Sequence, residues 1–117
     1  MAIDPVRIVL VPRGADADTA AARQFVLDLR LDTETGVSNG PFPAFGRIGD
    51  FRKPETLIPF TLMMDGRLDT GAYASDAQRQ DKLDIRGAAL SVGGEVALVS
   101  GDGSEAFVIQ SITRLLE

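Results

Sequence analysis

A chain of 117 residues with 44% hydrophobic and 25% charged side chains fits one compact domain, residues 1–117, and excludes disordered and fibrous architectures. It contains no cysteine and no histidine, which removes disulfides, thiol chemistry, Ser-His and Cys-His nucleophile pairs and the commonest transition-metal ligand. The net charge of −5 has the wrong sign for a surface that binds nucleic acid as a whole.

The first segment, Met-Ala-Ile-Asp-Pro, has no basic region, and no window approaches the ~20 apolar residues that span a bilayer. A cytoplasmic location without membrane contact is therefore expected. Val6 to Pro12 is a β-branched run bounded by Pro5 and Pro12, which predicts a first strand. Gly14 to Ala22 is rich in Ala and Asp, and Asp18 or Thr19 is placed to cap a helical turn running to Arg23. From Phe25 the period becomes two. Phe25, Leu27, Leu29 and Leu31 share one side and Val26, Asp28, Arg30 and Asp32 the other, as a half-exposed strand requires.

Between residues 34 and 55 the character changes, with Gly36, Gly40, Gly46 and Gly49 interspersed among Pro41, Pro43 and Pro54. No period is sustained there, so a long Gly/Pro/Phe-containing loop is expected, and loops of this kind tend to be functional. Leu57 to Met64 is continuously apolar and ends at Asp65-Gly66, a two-residue hairpin signal, with Arg67 to Ala74 as the returning strand. Pro59 cannot donate to a ladder, which pushes this strand toward an edge or bulge. Ser75 to Lys82 reads as a polar helical turn or exposed loop, with Ser75 as a possible cap, and Leu83 and Ile85 open a terminal meander.

The meander is the clearest signal in the chain. Glu95 to Ser100 and Glu105 to Ile112 are β-branched runs flanking the turn at Gly101 to Ser104, and Leu90 and Val92 predict a further strand over Gly87 to Glu95. Phe107 and Ile109 share one parity while Ile112 has the other, which predicts a bulge near Gln110 or Ser111. The sum is an all-β domain of about six or seven short strands with one or two short helical turns. A small barrel, closed or partly open, is favoured over a sandwich because closure removes apolar edges.

Three groups of residues bear on function. Phe42, Phe45 and Phe51, with Arg47 and Arg52 beside them, form an aromatic and basic set in a segment stiffened by prolines. Such a set suits recognition of a protein partner, or self-association, through residues 36–54. The same segment offers Arg47, Arg52 and Lys53 interleaved with aromatics, a pattern that stacks bases and neutralises phosphates in single-stranded nucleic acid. Lastly, Asp69-Thr70-Gly71-Ala72 follows the apolar stretch Ile58-Pro59-Phe60-Thr61-Leu62 and the Asp65-Gly66 turn.

That last arrangement resembles the active-site segment of retropepsin-like aspartic proteases. The resemblance implies a homodimer in which each Asp69, framed by Thr70 and Gly71, shares a proton with its mate ~3 Å away. Only Arg67 and Leu68 separate the turn from Asp69, and Ser91 stands where the family has an apolar residue before Val92-Gly93. The non-enzymatic binding or assembly module is accordingly the leading expectation, the protease second and the nucleic-acid binder third. No cofactor or metal is expected: Asp16 with Asp18, and Asp102 with Glu105, read as a cap and a solvated turn rather than as ligand sets.

Overall fold

In the computed structural model, residues 3–32, 34–39, 44–63, 66–69, 81–85, 89–100 and 103–115 are described. They form β1 (Ile3–Pro12), α1 (Ala17–Ala22), β2 (Gln24–Asp32), β3 (Ser38–Asn39), β4 (Ala44–Gly49), a 3-10 turn (Pro54–Thr56), β5 (Ile58–Leu62), β6 (Leu68–Asp69), β7 (Lys82–Asp84), β8 (Glu95–Ser100) and β9 (Gly103–Arg114). One antiparallel sheet of nine strands runs in the order β6-β5-β4-β2-β1-β9-β8-β7, with β3 beside β2. Its two ends meet at the Arg67–Lys82 bridge, where Leu68 N–H donates to Asp81 O and Leu83 N–H to Gly66 O. The result is a nearly closed barrel, with more strands in its wall than the sequence predicted.

The period of two explains the interior. Val6, Ile8 and Leu10 of β1, Phe25, Leu27, Leu29 and Leu31 of β2, and Phe107 and Ile109 of β9 all point inward and are buried. Three phenylalanines meet at the centre: the Phe25 ring packs edge-on against Phe60 at 5.8 Å and against Phe107 at 5.0 Å. The aromatic filling of the barrel thus comes from regular strand positions.

β1 begins before Pro5, earlier than the prolines suggested. Pro5 O accepts from Leu115 N–H, so the side of Pro5 that lacks a donor faces beyond Val6–Arg114, where ladder pairing with β9 has ended. In β9, Ser111 pairs with Val9 but Ile109 pairs with Leu10, leaving Gln110 as the extra residue of a bulge. This is the bulge that the parity change predicted, and it lets Ile112 pack against the core.

Several boundaries differ from expectation. Asp16, not Asp18 or Thr19, caps α1, its side chain accepting from Thr19 N–H at 2.8 Å. The strand ahead of β8 is Lys82–Asp84 instead of Gly87 to Glu95; Leu90 is buried and Ala89 bridges Val37, but Val92 is exposed. Between β5 and β6, Met63 N–H donates to Arg67 O and Gly66 N–H to Met63 O. Met64 and Asp65 of the expected Asp-Gly hairpin lie outside the described residues, as do Thr70 to Gln80, including Ser75, and Gly101 and Asp102 of the turn expected at Gly101 to Ser104.

The largest difference is at residues 34–55, where β3 and β4 take the place of the expected irregular loop. β4 pairs with β2 on one side and β5 on the other. Its inward residues are Ala44, Gly46 and Ile48, and its outward ones Phe45 and Arg47. At Gly46 there is no room for a side chain because Phe60 fills the space behind it: a Cβ there would lie 2.6 Å from Phe60 Cζ and 2.5 Å from Val26 O. Pro59 is tolerated because β6 pairs only with Thr61 and Leu62, leaving the β6 side of Pro59 without a strand among the described residues.

Candidate functional site: a groove on the outer wall

The strand registers assemble the outward side chains into rows. Thr113, Arg7, Asp28, Phe45, Thr61 and Asp69 lie side by side across β9, β1, β2, β4, β5 and β6, and Val9, Val26, Arg47 and Pro59 form the next row. Directly paired residues of an antiparallel ladder present their side chains to the same face. All of these except Thr113 and Val9 line a groove of about 500 Å³, which Phe51 also lines from the turn after β4. The volume lies within the range that ligand clefts occupy.

Each part of the groove has a different state. Arg7 and Asp28 neutralise one another in a two-point contact, Nε to Oδ1 at 2.9 Å and Nη2 to Oδ2 at 3.1 Å, which raises the Arg7 pKa still further. Phe45 is 65% exposed on a strand held from both sides. Arg47 is exposed, flanked in its row by Val26 and Pro59, and makes no ion pair among the described residues. Asp69 is exposed beside Thr61 at the far side of the groove.

Phe51 is delivered by a tightly bonded turn. Gly49 has φ +144°, and a Cβ there would sit 2.8 Å from Thr56 O, so only glycine lets the chain fold back this closely. The Thr56 hydroxyl accepts from Asp50 N–H, and the buried Asp50 carboxylate accepts from Arg52 N–H, Nε and Nη2 at 2.9 to 3.0 Å. Arg52 reaches on to Asp18 of α1 at 3.3 Å. Its charge is therefore met by two carboxylates.

These bonds hold the Asp50 carboxyl below the usual carboxylate range, the Arg52 side chain being the largest cause and the Arg52 backbone N–H the next. A lowered folded-state pKa stabilises the fold above the unfolded value of about 4, and the effect is lost as pH falls through the folded value. We expect Asp50→Asn to melt below the parent protein at neutral pH. The gap should narrow below about pH 4, as thermal midpoints measured across a pH series would reveal.

The expected binding residues thus divide. Phe45, Arg47 and Phe51 converge on the groove; Arg52 is engaged by Asp50 and Asp18, and Lys53 is exposed in the same turn. Phe42, Thr70 and Gly71 lie outside the described residues. Asp69, which belonged to a separate sequence motif, lines the same groove. Arg7, Val26, Asp28, Pro59 and Thr61 also line it, and sequence reasoning did not assign them to a site. The period of β2 put Val26 and Asp28 on one side together, but which strand lies beside which was not readable.

Among the described residues no cluster of three or more acidic side chains could hold a metal ion, and no helix is long and apolar enough to cross a membrane. The geometry defines a small antiparallel barrel with a mixed aromatic and charged groove on its outer wall. No family model matches the sequence, and comparisons with curated proteins and with solved structures find no significant match.

Proposed function

We propose that this chain is a non-enzymatic binding or assembly module that recognises a protein partner, or a second copy of itself, through the wall around Phe45. The observation that carries this reading is an aromatic ring 65% exposed on a strand fixed from both sides, inside a groove that also holds Arg47. Large aromatics and arginines supply a disproportionate share of binding energy, and here the backbone that carries them is already fixed, so it has no ordering cost to meet on binding. A cytoplasmic setting belongs to the same reading. Its support is the wall itself, which carries the Arg7–Asp28 pair outward and apolar side chains inward, opposite to the pattern of a membrane barrel.

The protease reading stands second. It needs two Asp69 carboxylates ~3 Å apart; Asp69 is exposed at the groove edge, and the Thr70 and Gly71 that would frame it lie outside the described residues. Nucleic-acid binding stands third, since Arg52 of the basic set is already met by Asp50 and Asp18.

The test is Phe45→Ala. Folding stability should change by no more than about 0.5 kcal/mol, as expected for a surface site. Self-association or partner capture should weaken by about 1 to 3 kcal/mol. Denaturation midpoints and sedimentation of the same variant give both numbers. A stability loss of about 3 kcal/mol or more in a protein that stays monomeric would overturn the reading.

A further inference from the structure

Arg47 differs from the arginines around it. Arg7 is paired with Asp28, Arg13 with Glu95, Arg23 with Glu105, Arg52 with Asp50 and Asp18, and Arg114 with Asp4. Arg47 and Arg30 have no such partner among the described residues, and of the two only Arg47 lines the groove. Its row neighbours are apolar, Val26 on β2 and Pro59 on β5. Asp28, in the adjacent row on β2, already spends both oxygens on Arg7. Asp69 stands in the neighbouring row and two strands away, roughly 10 Å at ordinary strand spacing.

We infer that the occupant of this groove is a segment of a partner protein that places an Asp or Glu carboxylate on Arg47 and an adjacent aromatic or large aliphatic side chain against Phe45, Phe51 and Pro59. This rests on the binding reading above and adds the partner's chemistry. A planar guanidinium beside apolar surface matches a carboxylate in two-point geometry, and partial exclusion of water by the flanking rings strengthens that contact. One counter-charge satisfies one arginine. A nucleic-acid backbone would instead lay repeated negative charge over a domain of net charge −5, which opposes it.

The experiment is selection of a display library of random short peptides on the immobilised full chain, with the Phe45→Ala chain as counter-selector. Enriched peptides should carry Asp or Glu within a residue or two of an aromatic or large aliphatic side chain. One enriched peptide is then titrated against Arg47→Gln, which should bind it about tenfold to a hundredfold more weakly, the usual size of a lost charged hydrogen bond. Amidating the peptide's acid should cost the parent protein the same factor and Arg47→Gln no more than about twofold.

Enrichment of basic or uncharged peptides, or an Arg47→Gln affinity within about twofold of the parent, overturns the carboxylate inference while leaving the Phe45 face standing. No enrichment over Phe45→Ala overturns both. Tighter binding of oligothymidylate than of any peptide, dependent on Arg47, overturns both in favour of single-stranded nucleic acid.

Discussion

Replacing Phe25 by Ala should cost about 3 to 5 kcal/mol of folding stability, enough to leave a marginal domain largely unfolded. Phe25 is fully buried at the centre of the barrel, with the Phe60 and Phe107 rings packed edge-on against it from two directions. Those neighbours belong to β5 and β9, strands on opposite sides of β2 in the sheet order. A cavity there cannot be closed by moving one element, because the ring contacts strands held in place by separate ladders. Chemical denaturation of Phe25→Ala beside Phe45→Ala is the sharpest comparison the molecule offers: the same deletion, once inside the wall and once outside it. A Phe25→Ala loss below about 1 kcal/mol would mean that the three-ring packing is not what holds the barrel together.

Gly46→Ala should cost about 1 to 3 kcal/mol, the range for overpacking a filled interior, although the change adds a single methyl group and improves backbone propensity. The new Cβ would lie 2.5 Å from Val26 O, 2.6 Å from Phe60 Cζ and 2.8 Å from Leu27 Cβ. Phe60 has some freedom to tilt, but the Val26 carbonyl is part of the β2–β4 ladder and can yield only if the strands separate. An unchanged denaturation midpoint in Gly46→Ala would show that β4 packs less closely on β2 and Phe60 than described. Gly46 and Phe60 are also both among the residues that line the groove.

What could be read from the sequence followed from periodicity. β2 announces itself because large apolar residues occupy every inward position, and the β8–β9 hairpin because Val96 and Leu98 on one strand and Phe107 and Ile109 on the other alternate with outward residues on either side of a Gly-rich turn. β4 inverts that relation: its largest apolar side chain faces outward and its inward positions are Ala44, Gly46 and Ile48. A pattern that weighs side chains by hydrophobicity finds no strand there, since the bulk filling that part of the core is supplied by Phe60 from the neighbouring strand. The groove was hidden for a related reason. The period of two places Val26 and Asp28 on an outward face, but their meeting with Phe45, Arg47 and Asp69 depends on β4 lying between β2 and β5 and on the register of each pair. Those are long-range facts that no local window contains.

The extra residue in β9 also works as a lock on alignment. On one side of Gln110 the inward set is Phe107 and Ile109, on the other it is Ile112, and the two sets have opposite parity. Sliding β9 along β1 by one residue would turn both sets to water at once. Sliding it by two would keep the parity but carry the kink away from the Val9–Leu10 step where β1 accommodates it. A uniform strand has many nearly equivalent ways to lie beside its neighbour, whereas this one has a single position in which both halves face the interior. The closing of the chain's two ends against each other, β1 on β9, is thereby specified without any side chain having to recognise another.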